Sequence, residues 1–168
     1  MTGPVRIREA TDGDWPAVHP IFRAVVDAGE TYTYPAGLTS DEARALWMEP
    51  PPGRTVVAVD GDRVLGTAKA LPNRPGRGSH VATASFMVDP AAQGRGVGRA
   101  LGAHVVGWAR AAGYRAMQFN AVVETNTGAV ALWRSLGFRI VGTVPGAFAH
   151  PEHGYVGLHV MHLDLTAG

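Results

Sequence analysis

Apolar residues recur at three- and four-residue spacing along Trp15–Ala28, with Val18, Ile21, Phe22, Val25 and Val26 on one side, which predicts an amphipathic helix. Thr11-Asp12-Gly13-Asp14 ahead of it supplies caps and early negative charge, and Gly29 supplies a stop. Pro16 suits a first turn, whereas Pro20 is expected to kink or restart the helix. A second short helix follows Thr39-Ser40, with Ala43, Leu46 and Trp47 turned inward, and Pro50-Pro51-Pro52-Gly53 ends it. A third starts at about Gly96, carrying Val97, Leu101, Val105, Trp108 and Ala112 at helical spacing. A fourth, capped within Glu124–Thr127, carries Ala129, Leu132, Trp133 and Leu136; Gly137 stops it and Phe138 packs back.

Between these helices the period changes to two. Val5–Glu9 reads as a strand, and Thr55–Val59 and Val64–Leu71 read as a hairpin over Asp60-Gly61-Asp62. His80–Val88 is a longer strand. In Arg115–Val123, Met117, Phe119 and Ala121 alternate against Gln118 and Asn120. Arg139–Thr143 and Tyr155–Leu165 close the chain, joined by a Pro145–Gly154 loop. The order predicts one mixed α/β domain: a sheet of about seven strands, with about four helices divided between its faces.

The chain has 168 residues, 46% hydrophobic and 17% charged, enough for a substantial single core. Without cysteine it holds no disulfide, no thiolate metal site and no cysteine nucleophile. A net charge of +1 gives no general attraction to nucleic acid or membrane. No apolar leader opens the chain and no apolar run reaches ~18 residues, so a cytoplasmic location is expected. His150, His153, His159 and His162 lack the spacing of a ligand set, and no metal is expected.

The chemistry concentrates in Ser85–Leu101, S-F-M-V-D-P-A-A-Q-G-R-G-V-G-R-A-L. A strand ends near Asp89, Pro90 turns the chain, and a helix begins at the glycines. Unpaired N–H groups at a helix start bind phosphate, and Gly94, Gly96 and Gly98 allow close backbone approach. Arg95 and Arg99 add positive charge. A Walker loop needs Gly-Lys, but the only lysine is Lys69. A Rossmann fingerprint would need glycine where Arg99 or Leu101 stands. What fits is Gln-x-x-Gly-x-Gly, from Gln93 to Gly98.

That hexapeptide resembles the pyrophosphate loop of the Gcn5-related N-acetyltransferases. Asn126-x-x-Ala129-x-x-Leu132-Trp133-x-x-x-Gly137-Phe138 is similar to the second signature of that superfamily, and Ser85–Pro90 to its central strand. The resemblance implies a splayed sheet whose two central strands, His80–Val88 and Arg115–Val123, part to hold acetyl-coenzyme A. It implies cofactor contacts from Phe86, Met87 and Val88, from Gln93, Gly94, Arg95, Gly96, Val97, Gly98 and Arg99, and from Asn126 and Trp133. It also makes the Val88 N–H the oxyanion donor, and it implies a possible homodimer. Weaker likeness of Phe119–Asn126 to azetidine-2-carboxylate acetyltransferases, and of Glu30–Pro35 to phosphinothricin acetyltransferases, points to a small amino-acid-like acceptor. Glu30, Tyr32, Tyr34 and Asn120 are the candidate acceptor contacts, with Asn120 orienting the amine.

Glu30, Asp89 and Glu124 are candidate bases. The chain departs from the family at residue 133, where many relatives carry a tyrosine that protonates the leaving thiolate. Trp133 is donor-only and cannot be that acid; Tyr32, Tyr34, Tyr155 or water remain. Acetylation of proteins or peptides, and a coenzyme A-binding module without catalysis, are the alternative functions.

Overall fold

A computed structural model describes residues 3–167. Its seven strands form one sheet in the order β1-β2-β3-β4-β5-β7-β6. They are β1 (Arg6–Glu9), β2 (Arg54–Asp60), β3 (Arg63–Pro72), β4 (Val81–Val88), β5 (Ala116–Val123), β6 (Arg139–His150) and β7 (Gly154–Asp164). The helices are α1 (Trp15–Ala28), α2 (Ser40–Trp47), α3 (Val97–Ala111) and α4 (Thr127–Ser135). The expected mixed α/β fold, with a seven-stranded sheet and four α-helices, is the one observed.

Each helix pair covers one face. Helices α1 and α2 bury Trp15, Val18, Phe22 and Trp47 against Val57 and Met87. Helices α3 and α4 bury Leu101, Val105 and Trp133 against Leu65, Ala68 and Met117. Gly137 takes φ 101°, and the N–H groups of Gly137 and Phe138 bond the carbonyls of Arg134 and Trp133, closing α4 as a Schellman stop.

Four local expectations need correcting. Helix α1 runs unbroken through Pro20. That proline forfeits one bond near the helix start, while Val18, Ile21, Phe22 and Val26 anchor both sides of it. Leu46 is exposed rather than inward, because the buried stripe of α2 is Ala43 and Trp47. The supposed Pro145–Gly154 loop is largely strand: β6 continues to His150, and its ladder with β7 absorbs Pro145–Ala147 as an irregularity between Val144 and Phe148. In β5 a similar irregularity between Phe119 and Val122 resets the alternation. Ala121 is therefore exposed, and Val122 is buried instead of sharing a face with Asn120.

The feature that positions the site is between β4 and β5. They pair in parallel only at Val81↔Ala116 and Ala82↔Met117, then part. Asp89 N–H bonds the Leu65 carbonyl and Asn73 N–H bonds the Val81 carbonyl. In an antiparallel ladder bonded and non-bonded pairs alternate, so the odd residues of β4 direct their backbone groups to β3. Ala84, Phe86 and Val88 therefore turn theirs into the gap.

Candidate active site

A cavity of about 830 Å³ fills the gap and is lined by residues from both faces of the sheet. On the α3/α4 side its wall is Phe86, Val88, the glycine-rich junction and α4; on the α1/α2 side it is Thr31–Tyr34, Thr83 and Ser85.

At the junction Asp89 caps a single 3-10 turn, Pro90–Ala92, through the Ala91 N–H. Gly94 and Gly96 then take φ 79° and 76°, and a Cβ at either would meet nothing within 4 Å. Both are glycines for their left-handed backbone, not for lack of room. Gly96 is the N-cap of α3, so the N–H groups of Val97, Gly98 and Arg99 lack intrahelical partners and face the cavity mouth. Fixed donors at a helix N-terminus suit a pyrophosphate. Arg99 lines this end and donates to Ser135 Oγ at 2.8 Å. Arg95 does not line it: between its two left-handed neighbours the chain reverses, and its guanidinium pairs with Asp60 at 2.9 Å. Gln93, Gly94, Gly96, Val97, Gly98 and Asn126 line the cavity. Asn126 also caps α4, accepting the Ala129 N–H at 3.3 Å.

Along β4, the gap-facing N–H and C=O of Val88 have no protein partner among the described residues, which leaves an edge to which an amide-bearing chain can add as a strand. Phe86 differs. The Tyr32 hydroxyl donates to its carbonyl at 2.6 Å and accepts its N–H at 2.7 Å, taking the place of a strand neighbour. Met87 also lines the cavity, with its backbone toward β3 and the residue 1% exposed in the α1/α2 core.

Trp133 is 7% exposed and sits among Phe86, Phe119 and Phe138, with ring centroids at 4.6, 4.9 and 6.2 Å. It forms a wall of the cavity by packing. Sequence reading missed what makes room for it: a Cβ on Gly102 of α3 would stand 2.9 Å from Cζ3 of the indole.

Tyr32, Tyr34 and Asn120, the expected acceptor contacts, line the cavity. Tyr34 stacks on Tyr32 at 5.7 Å and packs on Phe22 at 5.4 Å. Burial pushes the Tyr32 phenol well above the ordinary tyrosine range, so it stays protonated and serves as a hydroxyl. Asn120 lines the cavity, but its amide is engaged, accepting from Gln118 Nε2 at 3.0 Å and donating to Asn73 Oδ1 at 2.7 Å. One N–H and one lone pair remain for a ligand. Thr83 and Ser85 were legible as the polar positions of β4 in phase with Met87, and sequence reading passed over them.

The carboxylates lie elsewhere. Glu30 is exposed outside the cavity lining. Asp89 holds its turn and pairs with Arg63 at 3.2 Å. Glu124 accepts the Gly157 N–H, fastening β5 to β7. Tyr155 is 82% exposed on β7, outside the cavity. Among the described residues no group of three or more His, Asp or Glu side chains comes together to hold a metal, and no helix is long and apolar enough to cross a membrane.

The chain is 28% identical over 151 residues to the N-acetyltransferase aca1 of Schizosaccharomyces pombe, covering 80% of this chain and 72% of that protein. It superposes on a GCN5-related N-acetyltransferase from Kribbella flavida with TM-score 0.93 and 63% identity, covering 95% of this chain and 97% of that one. A phosphinothricin acetyltransferase from Sinorhizobium meliloti, solved in complex with AcCoA, superposes with TM-score 0.86 and 25% identity over 98% of this chain and 89% of that one. The sequence model of the acetyltransferase (GNAT) family matches residues 17–138. A parted β4/β5 pair, a glycine-rich helix start and that match together place the chain in the GNAT family of acetyltransferases.

Proposed function

We propose that the protein transfers the acetyl group of acetyl-coenzyme A to the amine of a small molecule, by direct attack with both substrates bound. The observation that carries this is the cavity itself, with phosphate-seeking N–H groups at one end, a free strand edge at Val88 between, and a polar aromatic pocket at the other. Acetyl-coenzyme A supplies an acyl thioester. The N–H groups of Val97–Arg99 and the Arg99 guanidinium hold its pyrophosphate, and the free Val88 carbonyl accepts an amide N–H of its arm. The Val88 N–H stabilises the charge that develops on the carbonyl oxygen. The amine lone pair forms the new C–N bond, the C–S bond breaks with its electrons on sulfur, and the amine proton leaves to water or thiolate.

Trp133 orients this reaction by packing, since an indole carries no transferable proton at working pH. Asn120 directs the acceptor through its remaining N–H and lone pair. The homodimer implied by the family resemblance is checked by sedimentation.

Gly96→Asp tests the cofactor end. The site has room for the side chain, but its left-handed backbone strains any other residue, so Gly96→Ala is the control and the difference between the two variants isolates a carboxylate placed at the pyrophosphate position. Calorimetry is expected to show at least tenfold weaker acetyl-coenzyme A binding. Unchanged affinity would refute the loop assignment.

A further inference from the structure

The acceptor end of the cavity offers neutral polar groups only. They are the hydroxyls of Thr31, Thr33 and Tyr34 on the α1–α2 connection, those of Thr83 and Ser85 on β4, and the Asn120 amide on β5. The Tyr32 hydroxyl is spent on Phe86, and burial keeps it protonated. Of all the lining residues, only Arg99 carries a charge, and it stands at the helix start, toward the opposite end.

The charged groups on the surrounding elements are committed or turned away. Glu30 is exposed beyond the lining; Asp89 is held by Arg63 and Ala91. Glu124 is held by Gly157, and His159 by Thr143 at 2.7 Å. Arg74, Arg77 and His80 are exposed on the β3–β4 connection, Arg23 and Asp27 on α1, and Glu152 and His153 on the β6–β7 turn, where His150 Nδ1 accepts the Glu152 and His153 N–H groups; none of these lines the cavity.

Two consequences follow for an acceptor. An ammonium ion entering this end finds no carboxylate to pair with, and a carboxylate finds no cation, so both pay the cost of leaving water without compensation. No side chain on the wall takes the ammonium proton in the working range. Resting on the acetyl-transfer reading above, we propose that the acceptor is a weakly basic amine without a free carboxylate, an α-amine beside an amide, which enters uncharged after losing its proton to solvent. A free amino acid and a simple alkyl amine are both poor acceptors on this account.

The expected preference comes from the neutral fractions. At pH 7 about one in six α-amines of pKa ~7.7 is uncharged, against about one in 2,500 amines of pKa ~10.4, a ratio of about 400. The more basic amine is the stronger nucleophile, which trims the expected advantage to roughly ten- to hundredfold.

The test measures kcat/KM from pH 6 to 9.5 for L-alaninamide, L-alanine and n-propylamine with the full chain and acetyl-coenzyme A. Thiol release and product mass are both followed. Alaninamide is expected to lead at pH 7 by at least tenfold. The propylamine rate is expected to rise about tenfold per pH unit throughout, and each profile is expected to bend only at the acceptor's own pKa. Asn120→Asp, which puts a carboxylate into the neutral end, is expected to raise the propylamine rate at pH 7 relative to alaninamide.

An inflection common to all three acceptors reveals a protein base and overturns the proposal. Alanine matching alaninamide overturns it as well. No acetylated product from any amine, in protein that binds acetyl-coenzyme A, refutes the transfer reading beneath it. A further arm with a short alanine-initiated peptide amide distinguishes the source of the amine. Transfer several-fold better than to alaninamide assigns the site to peptide N-termini, and poorer transfer assigns it to small amides; both retain the amine class proposed.

Discussion

Trp133 and Gly102 form a pair whose energies can be separated. An alanine methyl at residue 102 would lie 2.9 Å from Cζ3 of Trp133 and 2.9 Å from Cδ1 of Leu136, closer than side chains pack. Such crowding costs ~1–3 kcal/mol, while replacing glycine inside α3 recovers ~1 kcal/mol of helix propensity. In the wild-type background Gly102→Ala is therefore expected to destabilise by about 1 kcal/mol. Trp133→Phe removes the ring edge that blocks the methyl, at its own cost of ~2 kcal/mol for lost burial and the space left. In that background Leu136, half-buried, can turn into the vacated volume, and the methyl fills what remains. Gly102→Ala should then stabilise by about 1 kcal/mol, giving a coupling of ~2 kcal/mol. Urea unfolding of all four proteins, followed by far-ultraviolet circular dichroism, measures the cycle. Equal effects of Gly102→Ala in both backgrounds, within ~0.5 kcal/mol, would refute the claim that this glycine exists to seat the indole.

Two further outcomes can be checked on purified protein. Asp14 accepts both Arg8 guanidinium nitrogens at 2.8 Å and the Thr11 N–H at 2.8 Å, and chiefly the Arg8 hydrogen bonds lower its pKa to about 2. A folded-state pKa below the unfolded value of ~3.9 gives stability that is full above that value and is lost as pH falls toward 2, so Asp14→Asn should cost ~2 kcal/mol at pH 7 and flatten the acid limb of the urea midpoint. Asn120→Ala should lower kcat/KM by roughly ten- to a hundredfold with acetyl-coenzyme A affinity intact. A lowered melting temperature with normal kcat/KM per folded molecule would assign that amide to Asn73 and Gln118 alone.

Periodicity was a sound guide wherever one face of an element meets the core. The 3.6-residue stripes of α1, α3 and α4 are local patterns with one burial solution, and β2 and β3 were legible as apolar runs on either side of a turn, though their residues are buried on both faces of the sheet. The glycine-rich loop was legible for a similar reason. Left-handed backbone at Gly94 and Gly96, and free N–H groups at a helix start, are local properties written in Gln93–Gly98.

Reading failed where an element's partner decides its form. β6 exposes most of its residues and carries Gly142, Pro145 and Gly146, so its strand character comes from the β7 ladder rather than from its own alternation. The bulge in β5 depends on register with β7, and it reversed the orientation expected for Ala121 and Val122.

The acceptor site belongs wholly to this second class. Sequence alone determined that a glycine-rich helix start with unpaired N–H groups follows a central strand, and that residue 133 is an indole without an acidic proton. Only the tertiary structure decided that Arg95 turns to Asp60, that Tyr32 closes the β4 edge at Phe86, and that Glu30, Asp89 and Glu124 stay out of the cavity. The physical reason is range. Caps, turns and periodicity act over a few residues, whereas the charge state of a pocket depends on which distant side chains find partners first.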